Sequence, residues 1–500
     1  MKDKKWYALA LAAALLACAS GASQQTAMQK TAATAQKSAS IVDHPSKLSF
    51  DSLNWKVPLG DPYRSKLKGG AIAYIAVDSS LPLVKINANI RCGSLSDPVE
   101  KDGLGTLMAN LLRTGGTEKY PADSLDKLLD LLAMKFSFSQ TESHVAFQAT
   151  FLSDYLDTAL DVMNQMFFHP AFQPEKLEKE KSLLEESIRH RFVNPGPILG
   201  AAYKKLMYPQ SAPSHFASLE SVRSVTRDDL VNLHKEVFTG KNIVLSASGK
   251  FDRKKLSDNL NKMFSGSKSK KEQIVPSISI RPSLNALIVH KPISQAYIRM
   301  GMPLFKRPNP DYYAVSVLNV ILGGSGFTSR LTTKVRSDEG LTYSIYSNSE
   351  SNYVYPGTFY IDFYTKTESY SRAIAIVLQE LKKVREEGVT EQELENAKSM
   401  LISELPSMFR SPDDIVSTYA WNEFFGRTPD HYAKYPAAIR ALTREDIKAA
   451  AQKYLDLSKL TFTIVGDTTA LFKVPSSGAF SLDSLKNRKI VSTDSLALMP

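Results

Sequence analysis

Residues 71–77 form an apolar run and residues 84–90 an apolar alternation, and residues 134–139 and 144–150 alternate again, which predicts four strands. A polar turn at residues 78–80 separates the first two. The apolar period lengthens to that of a helix over residues 103–113, 124–132, 152–167 and 174–191. Antiparallel-looking strands therefore mix with helices, which predicts an α+β fold.

The pattern then recurs. Residues 224–230 read Ser-Val-Thr-Arg-Asp-Asp-Leu, and residues 441–447 read Ala-Leu-Thr-Arg-Glu-Asp-Ile. Each begins a helix with a threonine N-cap, Thr226 or Thr443, and an acid three places on, Asp229 or Asp446. Each helix leads into an apolar strand ending at a glycine: residues 243–248 before Gly249, and 460–465 before Gly466. Thr226 to Thr443 and Gly249 to Gly466 are the same step of 217 residues. A period this long is a duplicated domain rather than a solenoid unit. The expected organisation is a first domain over 48–264, a Ser/Lys/Pro linker over 265–283, a second domain over 284–474 and a polar tail over 475–500. At 500 residues the chain is too long for a single core, which agrees with two domains.

Ahead of the first domain, Lys2, Lys4 and Lys5 precede an apolar run from Trp6 to Ala17. Residues 1–17 read as a signal peptide, too short to span a bilayer. Leu15, Leu16, Ala17 and Cys18 resemble a lipobox, in which Cys18 becomes a lipidated N-terminus; Ala17-Cys18-Ala19 also fits an ordinary A-x-A cleavage site. Ala19 rather than Asp after the cysteine points to the outer membrane. Residues 18–47, rich in Ala, Ser, Thr and Gln, read as a flexible tether. The expectation is a periplasmic, lipid-anchored protein of the bacterial envelope.

The net charge of +11 is dispersed, and the one dense basic cluster, Lys268, Lys270 and Lys271, falls in the linker. Without an aromatic-interleaved basic stripe, a nucleic-acid partner is not expected. Cys92 is the only cysteine besides Cys18, which excludes a disulfide within the mature chain. Its place at the end of an apolar alternation reads as a small buried hydrophobe.

The most specific text lies in the second repeat. Gln295 to Gly301 reads Gln-Ala-Tyr-Ile-Arg-Met-Gly, followed by Pro310 to Tyr313, then Leu322-Gly323-Gly324 and Phe327 to Leu331. Residues 334–344 read Lys-Val-Arg-Ser-Asp-Glu-Gly-Leu-Thr-Tyr-Ser. This text resembles the C-terminal domain of the pitrilysin/insulinase zinc metallopeptidases, the inverzincins, and the resemblance extends over roughly residues 50–470. It implies two homologous α/β-sandwich-like domains that form half of a clamshell around a peptidase chamber.

The family's zinc motif, H-x-x-E-H, places two imidazoles on one helix face and a general base beside them, with a distant glutamate as third ligand. The matching stretch here keeps the buried stripe Leu104, Leu107, Met108, Leu111 and Leu112, but its chemical positions are Thr106, Ala109 and Asn110. Glu186 matches the distant ligand; alone it cannot hold zinc and reads as an ordinary helix carboxylate. No two of the eight histidines lie within four residues of each other. No zinc is expected in this chain.

Arg336 and Tyr343 match an Arg/Tyr pair seven residues apart that in the family reaches the substrate. An arginine fork and a phenol can both donate to a developing oxyanion. The alternative is a surface arginine paired with Asp338 or Glu339, and a tyrosine in a strand. The resemblance therefore implies a non-catalytic subunit of a heteromeric peptidase. Its partner would be an H-x-x-E-H-bearing family member supplying the zinc, and its substrates peptides, bound partly by strand addition at a sheet edge. Two rivals are a structural or peptide-binding envelope protein without catalysis, and a self-sufficient peptidase with an atypical site.

Overall fold

Two six-stranded sheets organise the chain in a computed structural model. The described residues are 44, 47, 48, 55–267, 277–475 and 480–499; the expected signal peptide over 1–17 and nearly all of the tether over 18–47, Cys18 included, lie outside them. Met1–Trp55 separates as one unit from Lys56–Pro500, and both sheets belong to the second unit.

The first sheet comprises β1 (Arg64–Lys66), β2 (Ile72–Val77), β3 (Leu83–Ile90), β4 (Lys135–Gln140), β5 (Val145–Leu152) and β6 (Ile243–Gly249), in the order β1-β2-β6-β3-β5-β4. The second comprises β7 (Ala286–His290), β8 (Gln295–Pro303), β9 (Ile345–Glu350), β10 (Thr358–Lys366), β11 (Thr461–Gly466) and β12 (Arg488–Ser492), in the order β12-β7-β11-β8-β10-β9. β2 runs parallel to β6 and β7 parallel to β11, while the pairs β6-β3-β5-β4 and β11-β8-β10-β9 are antiparallel. The duplication read from the 217-residue step is thus a duplication of topology.

Helices α1 (Leu104–Thr114), α2 (Ala122–Leu131), α3 (Leu156–Phe168), α4 (Pro174–His190), α5 (Pro195–Met207) and α6 (Arg227–Val237) belong to the first half. The second half includes α7 (Tyr312–Asn319), α8 (Pro412–Phe424) and α9 (Arg444–Tyr454). α3 begins later than its apolar pattern because Ser153–Tyr155 makes a 3-10 turn first. The repeat's signature helices α6 and α9 carry the same cap. The Thr226 and Thr443 hydroxyls each accept from the N–H three residues on at 3.2 Å, while Asp229 and Asp446 accept from the threonine N–H at 2.8 Å. Each such cap is worth about 1 kcal/mol.

The alternation places Val84, Ile86, Ala88 and Ile90 of β3 in the core with α1 and α6. Ile298, Met300 and Met302 of β8 do the same for the second half. Cys92, just past β3, is a buried free thiol whose pKa burial pushes up, as suits a small hydrophobe. On the other face of each sheet the halves exchange a helix. α5 lies on β7, β8 and β11, and α8 lies on β2 and β6. Both helices begin with proline at the first helical position, where its missing N–H costs nothing, and Pro195 and Pro412 are again 217 residues apart. Gly301 permits the close approach of α5, since a Cβ there would stand 2.0 Å from the Tyr203 hydroxyl oxygen. On α8, Glu423 accepts both nitrogens of the Arg64 fork at 2.9 Å and the Tyr74 hydroxyl at 2.9 Å.

Residues 475–500, read as a polar tail, contribute β12, which pairs in parallel with β7 and completes the second sheet. Leu482, Leu485, Val491 and Leu496 are buried. The second domain therefore extends past residue 474 to this strand. Its polar sequence hid it, because an edge strand buries only part of one face.

Candidate functional site

The helix that matches the zinc motif is formed and packed, and its chemistry is replaced. Gly103 turns the chain into α1 with φ 101°, a conformation that favours glycine. Leu107, Met108, Leu111 and Leu112 are fully buried, which fixes the rotation of α1 and turns Thr106 and Asn110 toward polar neighbours. The Thr106 hydroxyl donates to Gln140 Oε1 of β4 at 2.8 Å. Asn110 Nδ2 donates to Glu180 Oε2 of α4 at 3.1 Å, and the Thr114 hydroxyl donates to Glu180 Oε1 at 3.0 Å. Ala109, at the position of the base, is fully buried.

These residues do not fit zinc. A zinc site needs three or four imidazole, thiolate or carboxylate donors. Here one buried carboxylate has both oxygens taken by neutral donors from α1, and neither Thr106 nor Asn110 is a ligand that holds the metal. Among the described residues no group of three His, Cys, Asp or Glu gathers at metal-binding spacing. Purified protein dialysed against zinc-free buffer is expected to retain well under one zinc per chain, as measured by elemental analysis. Stoichiometric metal would overturn this reading of α1.

Glu186 is 59% exposed and pairs with His190 at 2.7 Å and Arg189 at 3.4 Å on its own helix, the behaviour of an ordinary helix carboxylate. The carboxylate that α1 holds is Glu180, which sequence reasoning missed. Its signal was the spacing: Leu177, Glu180 and Leu184 stand at i, i+3 and i+7, so Glu180 interrupts the buried stripe of α4 while Glu186 falls off it.

Two further acids sit at the N-terminal end of α1. Asp97 accepts from the Gly105 N–H at 3.2 Å, and burial pushes its carboxyl up to about 6. Burial likewise pushes Asp102 up to about 7. Between the ordinary value of 3.8 and about 6, folded Asp97 keeps a proton that the unfolded chain has lost. Its contribution is therefore present at low pH and lost as pH rises through that window. In thermal melts of wild type and Asp97→Asn, the difference in Tm, wild type minus variant, is expected to fall between pH 4 and pH 6.5. A difference that stays constant would contradict the assignment.

Arg336 and Tyr343 are brought together in the second half. Arg336 lies in a π-helical turn, Thr332–Asp338, and Tyr343 stands just before β9. The guanidinium carbon sits 4.7 Å from the Tyr343 ring centroid and 4.5 Å from that of Phe327, between two rings that are 74% and 71% exposed. The two carboxylates that would make Arg336 an ordinary surface ion pair are engaged elsewhere. Asp338 pairs with Lys334 at 2.7 Å, and Glu339 with Arg372 at 2.8 Å. Among the described residues no carboxylate pairs with Arg336, and no group bonds the Tyr343 hydroxyl. Beside them is a cavity of about 300 Å³, lined by Arg336, Phe327, Gly323, Gly324, Ser344 and Asn348 among others. Gly323 shapes it: a Cβ there would stand 2.4 Å from the Ser347 nitrogen, so glycine lets the π-helical turn Val320–Gly324, which follows α7, rest against β9.

Both chemical positions border a terminal strand. β4, next to α1, pairs only with β5, and β9, next to Tyr343, pairs only with β10 among the described residues. Among these residues no hydrogen bond or ring contact joins α1 to the Arg336 pair.

Comparison with known proteins decides the family. The model described as "Insulinase (Peptidase family M16)" matches residues 75–205, and that described as "Peptidase M16 inactive domain" matches residues 224–401. The two together span more than half of the chain. The chain belongs to the M16, or insulinase, peptidase family. It is an inactive-type M16 member, since α1 carries none of the H-x-x-E-H residues. A Helicobacter pylori protein named non-peptidase homolog YmxG is 26% identical over 384 residues, 75% of this chain and 87% of that one. A Bacillus subtilis protein named uncharacterized zinc protease YmxG is 26% identical over 342 residues, 68% of this chain and 82% of that one. A solved Pseudomonas fluorescens structure, described as a peptidase M16 inactive domain, superposes with a TM-score of 0.72 at 23% identity, covering 81% of this chain and 97% of that one. The M16 fold is thus kept in full by a chain whose zinc helix has become a hydrogen-bonded structural helix.

Proposed function

We propose that this protein is the non-catalytic subunit of a heteromeric M16 zinc metallopeptidase, anchored to the outer membrane through Cys18 and facing the periplasm. The observation that carries the reading is the contrast between the two chemical positions. Thr106 and Asn110 are committed to Gln140 and Glu180, whereas Arg336 and Tyr343 keep donor groups without an acceptor among the described residues. A chain that only needed to fold has no use for an exposed, unpaired Arg/Tyr pair. In the assembled peptidase, the partner's H-x-x-E-H helix supplies zinc and the general base. Arg336 and Tyr343 then donate to the scissile carbonyl oxygen as it becomes an oxyanion. Peptide substrates lie as an added strand along β4 or β9.

The test is a mild-detergent pull-down of the chain from its native envelope, with mass spectrometry of the co-purifying proteins. Recovery of an H-x-x-E-H family member in near-equal amount is expected. Recovery of the chain alone, or with unrelated proteins, would replace this reading with a binding or structural role.

A further inference from the structure

The first sheet has a polar face that α8 covers only in part. β3 turns Lys85, Asn87 and Asn89 toward it, alternating with the core residues Val84, Ile86, Ala88 and Ile90. In register with Asn87 stand Gln148 of β5 on one side and Ser246 of β6 on the other. With Trp421 of α8 these residues line a groove of about 400 Å³.

The amides in this groove have hydrogen-bonding capacity to spare. Asn89 is only 7% exposed, yet its side chain bonds to no group among the described residues. Its donor and acceptor therefore open onto the groove rather than being spent on the protein. Among the described residues Asn87 spends one N–H on Ser246 Oγ at 3.3 Å and keeps its oxygen free, and the Gln148 amide is unbonded. Charge is already cancelled, because Lys85 pairs with Asp413 at 3.0 Å and Asp413 also accepts from Ser248 at 2.7 Å. The groove thus offers neutral donor–acceptor pairs and no free ion.

We propose that this groove binds the backbone of an extended peptide through its row of side-chain amides. A carboxamide carries one N–H edge and one C=O, the same pair that a peptide group presents. Asn87 and Asn89 are two residues apart on one strand, so they stand about 6.6–6.8 Å apart, the dipeptide repeat of an extended chain. Gln148 adds a third amide one strand away, at about 4.8 Å. Successive peptide groups of one face of the ligand therefore meet successive amides. Recognition falls on the main chain, so it tolerates many sequences; small and polar side chains suit the hydroxyl-lined walls. This inference shares with the proposed function only the expectation that the ligand is a peptide. The groove lies between the first sheet and α8, shares no lining residue with the cavity beside Arg336, and its test needs no partner subunit.

Trp421 makes the test direct. The chain has three tryptophans, Trp6, Trp55 and Trp421, so in a Trp55→Phe background Trp421 is the only one outside the signal segment. The full chain is titrated with a soluble ten-residue peptide of alternating Ala and Ser, with its backbone N-methylated analogue, and with chitotriose, following Trp421 fluorescence. Saturable binding of the peptide alone is expected, weakened about tenfold by Asn89→Ala and by Gln148→Ala, each of which removes one two-point amide contact. Gln148 is exposed, so its variant reports even if Asn89→Ala folds poorly. No response to the peptide, equal binding of the N-methylated analogue, unchanged affinity in a folded variant, or a response to the saccharide in place of the peptide would each overturn the proposal. Any of these results beside an intact pull-down would leave the heteromeric reading in place.

Discussion

Replacing Arg336 by alanine in the two-chain peptidase is expected to lower kcat by about 10²–10³-fold, with co-purification of the partner unchanged. That is the usual loss when one preorganised oxyanion donor is removed, roughly 3–4 kcal/mol of barrier. The size of the effect follows from how Arg336 is held. Its guanidinium is clamped between the rings of Phe327 and Tyr343 at 4.5 and 4.7 Å, which orders it without using its N–H groups. Among the described residues no carboxylate competes for the fork, since Asp338 and Glu339 serve Lys334 and Arg372. An interaction made with the oxyanion but not with the ground-state carbonyl appears in kcat rather than KM. Arg336→Lys keeps the charge but loses the planar fork, and should recover only part of the rate. Tyr343→Phe keeps the ring that stacks on Arg336 and removes only the hydroxyl, so its loss isolates the second donor. Unchanged kcat in both Arg336→Ala and Tyr343→Phe would remove the chemical role assigned to this chain and favour a purely structural subunit.

The sequence announced the repeat because a capping box and a strand-ending glycine are local features, fixed by a few residues at Thr226, Asp229 and Gly249 and repeated at Thr443, Asp446 and Gly466. The emptied zinc helix was legible for the same reason: a five-residue motif either has its histidines or lacks them. The helix exchange was not legible, although Pro195 and Pro412 share the 217-residue step. α5 buries Ile198, Leu199, Ala201, Ala202, Tyr203, Leu206 and Met207, apolar on more than one side. A helix enclosed in that way loses the one-sided period by which helices are read. Glu180 escaped for a related reason. It belongs to α4's buried stripe by position but to a polar network by chemistry, and only the hydrogen bonds from Asn110 and Thr114 reveal which.

The exchanged helix also locates the most costly single substitution. Beneath α5, Asp362 of β10 accepts both arms of the Arg299 fork at 2.6 and 2.5 Å and the Tyr346 hydroxyl at 3.0 Å. The guanidinium lies 4.3 Å from the Tyr360 ring centroid and 5.0 Å from that of Tyr203 on α5, so the pair is part of the helix's seat. Burial works against the Arg299 charge, and the hydrogen bonds and the charge of Asp362 together more than offset it, leaving the pKa above its ordinary value. Asp362→Ala would strand a buried cation and a tyrosine donor together. A loss of about 3–5 kcal/mol is expected, the usual result of breaking one side of a buried pair, seen as a lower denaturant midpoint for the second half. The double variant Arg299→Met with Asp362→Leu removes both charges and fills similar volume, and should recover most of that loss. If the double variant is as unstable as the single one, the cost lies in packing against Tyr203 and Tyr360 rather than in the unpaired charge. If Asp362→Ala is neutral, water reaches Arg299 and the seat of α5 is wetter than its burial implies.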